Sequence, residues 1–184
     1  IGEAFGTYIL VERGEELILI DKHAAHERML YEKLRTGGGE NSSQMLLAPV
    51  PVTLDKDSYA AAIEAADLFA KAGFEIDDFG SGTVLVRSAP LWIDGGDVAS
   101  AVMEMAGYLE SSRADLTTDR LAWLYHNVAC RAAVKAGDES SPQELMDLVR
   151  RLEEDPNIRY CPHGRPVSII MKRKDLEKQF GRIQ

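Results

Sequence analysis

The stretch from residue 5 to residue 36 restricts the fold more than any other part of this chain. Residues 5–12 (Phe-Gly-Thr-Tyr-Ile-Leu-Val-Glu) and 16–21 (Glu-Leu-Ile-Leu-Ile-Asp) are apolar runs of strand length, parted by Arg13-Gly14-Glu15. Two such runs around a short glycine-containing turn predict a hairpin. A helical pattern over about 22–36 follows without a break, and Gly37-Gly38-Gly39 end it. The second strand therefore ends in Asp21 and hands directly to a helix, which sets an acidic side chain beside the first helical turn.

The rest of the chain alternates in the same way. Residues 44–54, with Pro49 and Pro51, read as an edge strand. Residues 56–72 read as an Ala-rich helix capped by Gly73, and 74–88 as two short strands split by Gly80-Ser81-Gly82. Helices are expected at about 97–111, 117–136 and 142–154. The last has Ser140 or Ser141 as N-cap, Pro142 near its first position and Pro156 as its stop. A compact loop, 160–165, leads to a strand over 166–171 and a short basic helix. The fold class expected is α/β (α+β), with two subdomains. Residues 1–48 and 160–184 form one, the final strand returning to the first sheet. Residues 49–159 form the other, inserted in the middle. The polar, glycine-rich stretch 37–43 is the best linker.

A length of 184 residues suits one ordinary domain or two small ones. No apolar run approaches the roughly 20 residues that span a bilayer, and no signal-like segment opens the chain, so a cytoplasmic protein with no membrane partner is expected. The start at Ile1 suggests a piece of a longer protein. Two cysteines, Cys130 and Cys161, make no disulfide framework. A net charge of −9 argues against this chain gripping a phosphate backbone by itself.

Three segments carry chemistry. His23 and Glu27, at i and i+4, share one helix face close to Asp21. Alone, such a pair is usually a solvated surface. Cys161-Pro162-His163-Gly164-Arg165-Pro166 sets a thiol and an imidazole two apart in a tight loop, where both can turn to one ion. Cys130 lies on a helix within Ala129-Cys130-Arg131, and its bland reading is a buried core thiol. Together Asp21, His23, Glu27, Cys130, Cys161 and His163 form a mixed donor set. Carboxylates favour magnesium or manganese, and sulfur with imidazole favours zinc. Two neighbouring ions on such a set could activate water and stabilise the leaving oxygen in phosphodiester hydrolysis.

Asp21-Lys22-His23-Ala24-Ala25-His26-Glu27, then four residues and Glu32, resembles the signature of endonuclease-active MutL-type mismatch-repair proteins. Ala129-Cys130-Arg131, Cys161-Pro162-His163-Gly164-Arg165-Pro166 and Phe180-Gly181-Arg182 resemble three further motifs of that family, in order. The resemblance covers nearly the whole chain. It implies the C-terminal domain: a homodimer that nicks the DNA strand to be repaired, with Asp21, His23 and Glu27 catalytic. It also implies that these three, with Cys130, Cys161 and His163, hold Zn2+ and/or Mn2+, Mg2+ being a further possibility. A MutS-type mismatch-recognition protein would act through the full-length protein. ATP should not bind this fragment, which has no ATP-binding glycine motif. Lys22 stands where the family usually carries Gln, and need not face the ion, since neighbouring helix positions point about 100° apart. Glu32, about half a turn from His23 in projection, is expected to be structural and to pair with Arg28. His26 is expected to be a surface histidine.

Gln44-Met45-Leu46-Leu47-Ala48-Pro49 resembles the peptide with which such proteins contact the replication sliding clamp. Gln44 would hydrogen-bond, Leu46 and Leu47 would fill a pocket, and Pro49 would hold the chain extended. The alternative is a plain edge strand whose leucines face the core. Arg173 and Arg182, in the basic tail, could approach a scissile phosphate. Two other functions compete with the endonuclease: a non-catalytic dimerisation and clamp-docking module with a structural zinc, and a metal-sensing regulatory domain.

Overall fold

Glycine makes the first hairpin possible. In the computed structural model, which describes residues 2–37, 42–113, 119–134, 138, 140–155, 158–161 and 164–183, the strands β2 (Tyr8–Arg13) and β3 (Glu16–Asp21) are joined by a two-residue turn. Gly14 holds that turn at φ +60°, where a Cβ is strained. The predicted first strand is corrected at its start. Phe5 and Gly6 both take positive φ, 57° and 60°, and Thr7 N–H donates to Ala4 O at 3.1 Å. The chain therefore turns there, and a separate strand β1 (Gly2–Ala4) precedes it. Phe5, 91% exposed, sits on the turn rather than in the sheet.

The chain divides into two compact units, Ile1–Met29 with Ala133–Gln184, and Leu30–Ala132. The first is built on an antiparallel sheet of order β1-β2-β3-β7, where β7 is Ser168–Lys172. β7 pairs with β3, Ile18 facing Ile170 and Leu19 facing Ile169. The N- and C-terminal segments thus share one sheet around an inserted middle, as the sequence predicts. Alternation puts Ile9, Val11, Ile18 and Ile20 on the inner face. They pack with Ala24 and Ala25 of α1 (Lys22–Gly37) and with Leu145, Leu148 and Val149 of α6 (Pro142–Glu154). α6 opens on a capping box: Ser141 N–H donates to Glu144 Oε2 at 2.7 Å, and Glu144 N–H to Ser141 Oγ at 3.3 Å. A short helix, α7 (Arg173–Gln179), follows β7.

The second unit holds a sheet of order β4-β6-β5, from β4 (Ser43–Thr53), β5 (Glu75–Gly80) and β6 (Thr83–Pro90). Pro49 and Pro51 fall on an edge strand, the place in a sheet where proline is tolerated. Gly82, at φ +75°, lets the turn between β5 and β6 pass close to Leu54, whose carbonyl a Cβ would meet at 3.2 Å. The predicted helix over 56–72 breaks at Ala65 (φ −104°, ψ 24°) into α2 (Lys56–Glu64) and α3 (Ala66–Lys71). α4 (Val98–Ser111) and α5 (Arg120–Ala132) complete the unit. Tyr108 and Trp123 stack between them at 3.8 Å.

Phe69 and Phe74 meet edge to face at 6.5 Å, and both are fully buried beside Val84 and Val86. Phe69→Ala is expected to destabilise the protein by about 3–5 kcal/mol through lost burial and a residual cavity. A urea titration followed by far-ultraviolet circular dichroism checks this, and a loss below about 1 kcal/mol contradicts the packing described.

Candidate metal and nicking site

The junction between β3 and α1 is fixed by the side chain of Asp21. Its Oδ1 accepts from Ala24 N–H at 2.9 Å, an N-cap bond to the third helical residue. Its main-chain N–H donates to Val167 O at 2.9 Å, which ties the strand end to the far loop. That loop is closed by Cys161 N–H to Arg165 O and Gly164 N–H to Cys161 O, both 2.8 Å, and by a bridge from Tyr160 to Pro166. Cys161 is buried at its base, 2% exposed. Glu27, one turn further along α1 than His23, is fully buried.

His23 donates from Nδ1 to Val134 O at 2.8 Å. A carbonyl can only accept, so in the neutral ring Nε2 keeps its lone pair, the arrangement seen in metal-ligating histidines. The guanidinium of Arg165 is held more firmly in its charged form by Cys161, through a hydrogen bond and charge, and then by Asp21 and Glu27. A thiol and two carboxylates of the first unit thus all favour the charged form of Arg165. Arg165 belongs to the predicted loop motif, yet sequence reading gives it no role.

Two further candidates, Cys130 and His163, are not among the first unit's described residues. Cys130 is on α5 in the second unit and is exposed, so its reading as a buried core thiol does not hold. Neither cysteine is in a disulfide. Its neighbour Arg131 binds Asn127 Oδ1 at 3.1 Å and Ser100 Oγ at 2.9 Å, and pairs with Glu104, fastening α5 to α4. His163 lies outside the described residues. Among the described residues, no three His, Cys, Asp or Glu side chains are grouped so as to hold one ion. The donor chemistry of Asp21, His23, Glu27 and Cys161 nevertheless suits a divalent ion: a capped carboxylate at a rigid junction, an oriented imidazole, a buried carboxylate and a buried thiol.

Lys22 is almost wholly buried, 1% exposed, and its ammonium is spent on Glu3 Oε1 at 2.6 Å and Asp138 O at 2.7 Å. Glu32 accepts from Arg35 at 3.0 Å, three residues on. His26 is not the surface histidine expected. It is half-buried, and its Nδ1 accepts from Val134 N–H at 3.1 Å. Burial first, then Arg151 and His23, lower its pKa and keep the ring neutral. The only hint of this in the sequence is its spacing of three from His23.

The clamp-like segment bulges from the edge of the second sheet. Met45 pairs with Ser88 and Val50 with Val86, so Leu46, Leu47, Ala48 and Pro49 all lie across from Arg87. Leu46 packs on the core, whereas Gln44 and Pro49 are exposed and Leu47 is fully exposed. Arg173 pairs with Glu177 at 3.1 Å and Glu15 at 3.3 Å. Arg182 is exposed near the chain end.

Residues 1–140 match the family model described as the MutL C terminal dimerisation domain. The chain belongs to that family. It is 37% identical over 186 residues to the DNA mismatch repair protein MutL of Clostridium botulinum (strain Loch Maree / Type A3), covering 100% of this chain and 28% of that protein. It is also 37% identical to the MutL proteins of Pelotomaculum thermopropionicum and Paramagnetospirillum magneticum, covering 96% of this chain in each case, and 29% and 30% of those proteins. The chain thus spans less than a third of the MutL relatives it matches.

Proposed function

We propose that this MutL-family domain is a homodimer that nicks the DNA strand to be repaired. The observation that carries the reading is the strand–helix junction: Asp21 is capped onto the helix that carries the buried Glu27, and His23 gives its Nδ1 proton to a carbonyl, which leaves a lone pair on Nε2 for an ion. Asp21, His23, Glu27 and Cys161 would hold a divalent ion, manganese or magnesium on the carboxylates and zinc on the softer donors, with His163 as a further ligand. When bound, such an ion supplies Lewis-acid polarisation of a phosphate and lowers the pKa of water. The chain's own part is to orient the donors. Asp21 is fixed by its cap bond and His23 by the Val134 carbonyl. Arg173 and Arg182 are candidates for contact with the DNA backbone.

The outer face of the first sheet supports the dimer. Leu10, Leu19 and Ile169 form one cross-strand row there, with Leu17 and Met171 in the next but one. Ile169 is 53% exposed and the leucines are half-buried, so this face resembles a core left open to a second copy.

An acidic domain needs a tether to DNA, and the bulged segment of β4 offers one through the sliding clamp. Leu47→Glu is expected to weaken binding to the clamp at least about tenfold in surface plasmon resonance, without loss of stability, since Leu47 touches solvent only. Equal affinity would remove the clamp from this reading. A MutS-type protein would reach the domain through the full-length chain, and the place of work is the cytoplasm. Among the described residues no helix is long and apolar enough to cross a membrane.

The test is conversion of supercoiled plasmid to the nicked circle by the full-length protein with manganese and clamp. The competing reading is a docking module with a structural zinc. It predicts no nicking under the same conditions.

A further inference from the structure

One peptide residue, Val134, is gripped at both of its polar groups by α1. Its N–H donates to His26 Nδ1 at 3.1 Å, and its carbonyl accepts from His23 Nδ1 at 2.8 Å. The two histidines are three residues apart and so lie on one face of the helix. Val134 lies two residues beyond the end of α5, outside any helix or strand, so no ladder holds it in place.

Donor and acceptor chemistry forces the two rings into opposite tautomers. His23 faces an oxygen and must carry its proton on Nδ1. His26 faces an N–H and must leave Nδ1 bare, its own proton going to Nε2. Only the His23 ring then turns an unprotonated Nε2 outward. A partner on one ring nitrogen that selects the tautomer and aims the other is how proteins prepare an imidazole to bind an ion.

We propose that His26 is a positioning residue: by holding the Val134 N–H it fixes the Val134 carbonyl, which locks His23 in the Nδ1–H tautomer and presents Nε2 as a metal-binding nitrogen. His26 touches no ion and no substrate in this scheme. Its effect passes through one peptide residue. The inference deepens the metal-site reading above and rests on it for the identity of what Nε2 binds, but the tautomer claim concerns the metal-free protein.

The experiment uses His26→Ala and His26→Asn in the full-length protein with selectively 15N-labelled histidine. Asn places Oδ1 about where Nδ1 stands and can accept the same N–H. Two-bond nitrogen–proton spectra without metal report the His23 tautomer, and titration with zinc chloride reports affinity. In wild type and in His26→Asn, His23 is expected to show the Nδ1–H pattern. In His26→Ala the pattern is expected to average between tautomers, with zinc affinity reduced about tenfold. An unchanged His23 pattern in folded His26→Ala overturns the inference. So does a His26→Asn variant that behaves like His26→Ala. If wild type shows the Nδ1–H pattern but zinc leaves His23 unshifted, the metal-site reading fails while the positioning claim stands. Circular dichroism of each variant separates a loss of fold from a loss of ring orientation.

Discussion

Leu19→Glu is expected to convert the proposed dimer into a monomer. Leu19 lies at the centre of the outer row, hydrogen-bonded strands bringing Leu10 to one side and Ile169 to the other. The symmetry of a two-fold dimer would bury two new carboxylates in one apolar contact. Leaving a charge unpaired in an interface costs about 2–5 kcal/mol, or roughly 30- to 5,000-fold in Kd. Because the position is half-exposed in the single chain, the monomer itself should fold. Light scattering after size exclusion would show the mass halving, while circular dichroism stays unchanged. Leu47→Glu is the control: it carries the same substitution on the other sheet and should leave the mass alone. A Leu19→Glu protein that remains dimeric would move the interface away from this sheet.

Asp21→Asn is expected to lower nicking at least about a hundredfold with the dimer intact. The substitution separates two roles of one side chain. Asn caps a helix as well as Asp does, so the bond from Ala24 N–H to Oδ1 survives and the strand–helix junction with it. The negative charge is lost, and with it the attraction for a divalent cation. Nicking of supercoiled plasmid with manganese and clamp present measures the first effect, and thermal unfolding the second. Nicking equal to that of wild type would sink the catalytic reading and leave the docking module. A large drop in unfolding temperature would instead mean that Asp21 acts through structure.

Much of the first sheet was legible before any coordinates because its rules are local. Alternation along 16–21 and Gly14 between the strands are enough to define a hairpin, and Asp21 before a helical pattern is enough to define the junction. Phe5 is apolar yet exposed, so its residue type does not report its burial. The backbone there takes two successive positive φ values, which residue type alone does not announce. The break at Ala65 was invisible for a similar reason. Alanine favours helix throughout, and the turn between α2 and α3 is imposed by packing.

The candidate site divides along the same line. Sequence alone determined the donor types and the family, because the signature over 21–32 and the motifs at 129–131, 161–166 and 180–182 are strings that survive without a fold. Only the tertiary structure decided what surrounds them. It brought Val167 to Asp21 and Cys161 to Arg165, and turned Lys22 inward to Glu3. It also gave His26 a partner 108 residues away. Hydrogen bonds to main-chain groups carry no residue code, so a pairing such as that of His26 with Val134 leaves no trace in the string of letters.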